Sequence, residues 1–130
     1  MTNDASMKQT IAAIVFGLML TSPVWAGMKE AGEAYKLGDY KTALSHLRPL
    51  AEEGDLGAQL FLATMYEDGR GVPRDYVQAY KWYTITAFEG DQTFIIFRLR
   101  ISENMTPAQI AEAQKLAHEW TAAYDKRKSK

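Results

Sequence analysis

Apolar side chains in the middle of the chain recur at helical spacing. Ala58, Leu62, Met65 and Tyr66 stand at offsets 0, +4, +7 and +8, one face of a helix. Tyr76, Ala79, Tyr80, Tyr83 and Ala87 form a second such stripe. The stretch between them, Asp68 to Arg74, reads DGRGVPR. Gly69 can take the left-handed conformation that ends a helix. Pro73 cannot continue a helix interior, and Asp75 is a good N-cap. The pattern predicts a helix hairpin over Ala58–Asp91.

The same pattern predicts helices on either side. Upstream, the first helix is expected over Met28–Leu37, with Gly38, Asp39 and Tyr40 as a tight turn. Asp39 then caps a helix running to about Glu53, whose apolar face is Ala43, Leu44, Leu47, Leu50 and Ala51. Pro49 falls inside that helix and is expected to bend it. Downstream, Phe94, Ile95, Ile96, Phe97, Leu99 and Ile101 are apolar, but Arg98 stands where the pattern of the hairpin calls for a leucine. Asn104 to Pro107 breaks the chain. Thr106 then caps a last helix, with Pro107 in its first position and Gln109 completing a capping box. That helix is expected over Pro107–Tyr124, with Ile110, Ala113, Leu116, Ala117, Trp120 and Ala123 on one side.

These hairpins are copies of one unit. Asp39, Tyr40 and Ala43 recur as Asp75, Tyr76 and Ala79, and Ala51, Glu53, Gly54 and Asp55 recur as Ala87, Glu89, Gly90 and Asp91, both at an offset of 36. One offset across two separated blocks marks a helical repeat array. Ala58, Leu62, Tyr66, Gly69, Gly71, Val72, Pro73, Asp75, Ala79, Trp82 and Ala87 resemble the Sel1-like repeat, a relative of the tetratricopeptide repeat. The resemblance is specific over Asp55–Asp91, has a shorter turn over Met28–Gly54, and is partial beyond. Ala63 departs from the family's usual glycine but is still small enough for close helix approach. The last helix resembles the closing helix that follows such repeats in secreted bacterial proteins.

The resemblance implies an all-α fold, a short right-handed α-solenoid of antiparallel helix hairpins with a closing C-terminal helix. Repeat one is expected over about 28–54 and repeat two over about 55–90. A degenerate repeat with the closing helix covers about 91–125, and 126–130 is a basic tail. The tail is expected to be a frayed, solvated end that also suits the negative helix terminus. In such folds the concentrated aromatics Tyr76, Tyr80, Trp82, Tyr83 and Phe88 are expected to be core. A stacking platform for a peptide or glycan is the alternative.

The first 26 residues are expected to stand outside this domain. Lys8 precedes the uncharged run Ile11–Leu20, and small residues at Val24 and Ala26 follow a proline. This is the form of a secretory signal peptide cleaved after Ala26, with Met7 as an alternative start. A spanning helix needs ~20 apolar residues, and this run is half as long. Localisation is therefore expected to be periplasmic or secreted, with no stable membrane insertion after cleavage.

Composition narrows the chemistry. In 130 residues the net charge is −1, which gives no general field for nucleic acid. There are no cysteines, so disulfides, thiolate metal sites and cysteine nucleophiles are excluded. His46 and His118 have no second ligand at metal-binding spacing, and no acid is spaced in sequence to orient His46 beside Ser45. The Gly69/Gly71 turn lacks the lysine and hydroxyl of a phosphate loop. No catalytic residue, cofactor or metal is expected. A stand-alone hydrolase finds neither a cysteine nor a Ser-x-x-Lys motif.

What the resemblance leaves is a binding surface. In related repeats the first helix of each pair lines a concave face. By that register Leu60, Thr64 and Glu67 project there from repeat two, with Gly32 and Tyr35 as neighbours from repeat one. The implied function is protein–protein interaction, as a scaffold of the bacterial cell envelope binding a protein or peptide. An accessory modulator of an envelope enzyme or secretion system is the alternative.

Overall fold

The computed structural model describes residues 23–88 and 93–130. Among these the chain forms six helices and no strand: α1 (Pro23–Lys36), α2 (Tyr40–Glu52), α3 (Leu56–Asp68), α4 (Tyr76–Phe88), α5 (Thr93–Ser102) and α6 (Pro107–Lys128). α1 pairs with α2, α3 with α4, and α4 also packs on α5 and α6. The fold is the expected all-α stack of hairpins with a closing helix.

Four of the six helix starts have a local cause in their capping residue. The carboxylate of Asp39 accepts from the Thr42 amide at 3.2 Å, that of Asp55 from Ala58 at 2.8 Å, and that of Asp75 from Gln78 at 3.1 Å. Hydrogen bonds from Thr42, first its side chain and then its amide, hold the Asp39 carboxyl below its usual range. Thr106 and Gln109 form the reciprocal capping box, with bonds of 3.2 and 2.9 Å. α3 ends at Gly69, whose φ of 68° and ψ of 41° are left-handed. Gly71 is also left-handed, and a Cβ there would lie 2.6 Å from Tyr40 Cβ. Only a glycine lets the long turn of repeat two lie against the start of α2.

The core runs through the stack. Ala43, Leu44, Leu47, Leu50 and Ala51 are all buried on α2, and α2 continues through Pro49 as one helix. Gln59 is also buried, tied by its side-chain amide to the Ala51 carbonyl at 3.1 Å, which fastens α3 to the end of α2. α4 is the central element. Its stripe was expected to bury one face, yet Ala79, Tyr80 and every residue from Trp82 to Thr86 are buried, because α3, α5 and α6 surround it. Thr84 and Thr86 satisfy their hydroxyls on the carbonyls of Tyr80 and Trp82, at 2.8 and 2.7 Å. Phe88 departs from the expected core stripe and is 75% exposed. Ala63 is fully buried. Ala63→Leu is therefore expected to destabilise the chain by ~1–3 kcal/mol through overpacking, read as a lower urea midpoint. An unchanged midpoint would mean that the helices do not meet at this residue.

α6 closes the stack by reaching back to repeat one. Trp120 meets Trp82 edge-on at 5.8 Å and donates its indole N–H to Glu52 Oε2 at 2.7 Å. Tyr124 stacks on Trp120 at 4.9 Å and covers Gly54, where a Cβ would collide with its hydroxyl. Lys81 lies 4.3 Å from the Trp82 ring, and burial lowers its pKa while Glu52 opposes the shift.

Two expected boundaries are corrected. The last helix does not stop at Tyr124 with a frayed tail but continues to Lys128. Arg127 donates to the Glu52 carbonyl at 3.1 Å, and Arg127 and Lys128 both lie over the Tyr124 ring. Basic residues in a last turn also offset the negative end of the helix dipole. The first helix is already formed at Pro23, ahead of the expected Met28, so cleavage after Ala26 would fall within it. The apolar run Ile11–Leu20 lies outside the described residues.

Candidate functional site

Three successive first helices, α1, α3 and α5, meet through their side chains. Tyr35 of α1 lies edge-on to Phe61 of α3 at 5.6 Å and to Tyr40 at 5.3 Å. Glu67 of α3 takes a charged hydrogen bond of 2.5 Å from Arg100 of α5. Tyr35, Leu60, Phe61 and Thr64 line one recess of about 190 Å³. Its walls are mostly apolar, and its four residues are half-buried. The family register thus puts Tyr35, Leu60 and Thr64 together. Gly32 stands in open space and contributes no wall.

Polar groups frame the recess. Thr64 gives its hydroxyl proton to the Leu60 carbonyl at 3.0 Å, and the same hydroxyl lies against that of Tyr83. Arg70 Nη1 donates to the Tyr35 hydroxyl at 2.8 Å, and its guanidinium also lies over the Tyr35 ring. This fixes the ring orientation at the rim. Glu67 sits at the far end of the strip with its side chain only 15% exposed. It accepts from the Tyr83 hydroxyl at 2.7 Å as well as from Arg100. Burial first, and the bond to Glu67 second, push the Tyr83 phenol well above its usual range, so it remains a donor. The carboxylate is thereby held by α4 and α5, beneath the strip rather than free upon it.

Phe61 and Arg100 were missed from the sequence. Phe61 lies off the Ala58/Leu62/Met65 stripe, and an aromatic residue off the core stripe was the available signal. Arg100 follows from the repeat itself, since 36 residues separate it from Thr64. The same offset carries Leu60 to Ile96, which is 67% exposed.

Other candidates resolve into structure. His46 Nε2 meets Glu30 Oε2 of α1 at 3.1 Å, an acid that sequence spacing had not supplied. Ser45 gives its hydroxyl proton to the Thr42 carbonyl at 2.7 Å, so the neighbours form no nucleophile–base pair. Among the described residues no group of His, Cys, Asp or Glu could hold a metal ion. Nor is any described helix long and apolar enough to cross a membrane.

Hairpins on a common repeat, each packed on the next and closed by a terminal helix, define a helical-repeat protein. Residues 57–90 match the Sel1 repeat family, so the chain carries a Sel1 repeat there. Over 58 residues it is 41% identical to a curated protein of Rhizobium leguminosarum bv. viciae, described as "Exopolysaccharide production negative regulator". That match takes in 45% of this chain but 22% of the relative's length. Sel1 repeats generally mediate protein–protein interaction and are usually non-enzymatic.

Proposed function

We propose that this chain is a binding or scaffold module of the bacterial cell envelope that holds a protein or peptide partner on the concave face of its repeat stack. The observation that carries this is the recess of Tyr35, Leu60, Phe61 and Thr64 where repeats one and two join. An aromatic with a polar tip beside an apolar socket suits a side chain of a docked segment, and such aromatics are over-represented among residues that carry binding energy. The envelope assignment rests on the form of the N-terminal 26 residues. N-terminal sequencing of exported material would begin at Gly27; a full-length species partitioning with membranes would overturn cleavage.

Crosslinking pull-down from envelope fractions with the tagged mature chain supplies the partner, and variants locate its site. Tyr35→Ala and Leu60→Glu are each expected to weaken capture about tenfold or more while the helical circular-dichroism signal is kept. Glu112→Ala, on the exposed side of α6, should leave capture unchanged. Silent recess variants, with capture lost on removing residues 126–130, would move the interface to the basic end of α6.

The alternative, an accessory modulator of an envelope enzyme or secretion system, draws support from the description of the Rhizobium relative as a negative regulator. The two differ in what the captured partner does: a modulator changes its partner's activity on binding, a scaffold does not.

A further inference from the structure

Arg98 occupies the position that corresponds, 36 residues on, to Leu62 of repeat two. Leu62 is buried core. Arg98 is half-buried, its guanidinium lies 5.7 Å from the Tyr80 ring, and its Nε is fully buried without a hydrogen-bond partner. A cation drawn into a core position is costly unless something pairs with it. The ring face offsets part of that cost.

Two adjoining cavities, of about 440 and 280 Å³, open beside it between α4, α5 and α6. They share Thr84, Phe88 and Arg98. The larger is completed by Gln114, His118 and Thr121, the smaller by Ala87 and Ile95. Among the described residues that line them, none is an acid. Thr84 and Thr121 give their hydroxyl protons to the carbonyls of Tyr80 and Ala117, at 2.8 and 2.9 Å. Among the described residues, the donors left to a guest are the Arg98 guanidinium, the Gln114 amide and the His118 ring. The volume is within the usual span of small-ligand sites, ~300–1,000 Å³.

We propose that this cavity binds a small amphipathic carboxylate, with its headgroup on Arg98 and its apolar stem along Ala87, Phe88 and Ile95. A guanidinium presents a planar fork that fits a carboxylate with two parallel bonds. A single fork beside an amide and an imidazole suits one negative charge better than a phosphate dianion. The apolar wall requires a stem, which acetate lacks. The site lies away from the Tyr35 recess and does not depend on partner capture there.

Titration calorimetry on the full chain tests this with octanoate, and with 1-octanol and acetate as controls for stem and charge alone. Octanoate is expected to bind measurably and better than either control. Arg98→Met, which returns an apolar side chain to the position of Leu62, should weaken octanoate about tenfold or more and remove its preference over octanol. Tyr35→Ala should bind octanoate like the parent chain. Octanoate that fails to bind at millimolar concentration, or that binds Arg98→Met equally well, overturns the proposal. Should Arg98→Met not fold, Arg98→Lys, which keeps the charge without the fork, and Gln114→Leu decide instead. Weakened octanoate binding in Arg98→Lys supports the site, and unchanged affinity in both overturns it.

Discussion

Removing Pro107–Lys130 should turn a sharp cooperative melt into a broad one. The removed helix carries Trp120, which packs on Trp82 and donates to Glu52, and Tyr124, which covers Gly54. It also carries Arg127, bound to the Glu52 carbonyl. One helix thus fastens the central α4 to the turn that ends repeat one. Repeat arrays need ~3 units to bury a continuous core, and the third unit here is degenerate. The closing helix supplies the missing cover. Trp120→Ala in the full-length chain isolates its main anchor, and loss of a buried tryptophan costs ~3–5 kcal/mol. Against a total stability of ~5–15 kcal/mol, that change alone would leave the chain close to unfolding at 37 °C. Trp120→Phe keeps a ring against Trp82 but leaves Glu52 Oε2 without its indole donor, so it should fall between the two. Urea titrations followed by circular dichroism rank the three proteins. A truncated chain with an unchanged, sharp transition would show that α6 is an appendage.

Local chemistry made most of the architecture legible before the structure. Asp39, Asp75 and the Thr106/Gln109 box start helices where N-cap chemistry places them, and Gly69 ends one in the left-handed conformation expected of it. The apolar face of α2 is buried residue for residue as its period predicts. What stayed hidden depends on contacts between distant segments. A period names one buried face, and α4 has several, because α6 packs on it from far along the chain. The basic end of α6 reads as solvated tail until Tyr124 and the Glu52 carbonyl are placed beneath it. Glu30 meets His46 only because α1 and α2 pair. The candidate strip was legible through the repeat register for Tyr35, Leu60 and Thr64. The register gives the direction of a side chain, however, and not its partners. It placed Glu67 on the same strip, and only the structure shows that carboxylate held by Tyr83 and Arg100.

Glu67→Ala should therefore lower stability more than it lowers partner capture. The substitution leaves the hydroxyl of Tyr83, a residue only 1% exposed, without its acceptor. Loss of a hydrogen bond to a charged group costs ~1.5–3 kcal/mol. The Arg100 contribution is smaller, since that side chain is 55% exposed and screened by solvent. For a domain of this size the melting temperature should drop by ~4–8 °C for each kcal/mol lost. Glu67→Gln keeps an acceptor for Tyr83 and should lose less. Tyr83→Phe removes the donor, and combining it with Glu67→Ala should cost less than the sum of the single changes, because both break the same bond. A coupling of ~1 kcal/mol or more would mark the bond as a fastening between α3 and α4. Capture measured well below each variant's melting temperature separates this from a direct contact with the partner. Glu67→Gln should then capture as the parent chain does, while Tyr35→Ala does not. If Glu67→Gln instead loses capture at full stability, the carboxylate meets the partner itself, and the recess extends along α3 to its last turn.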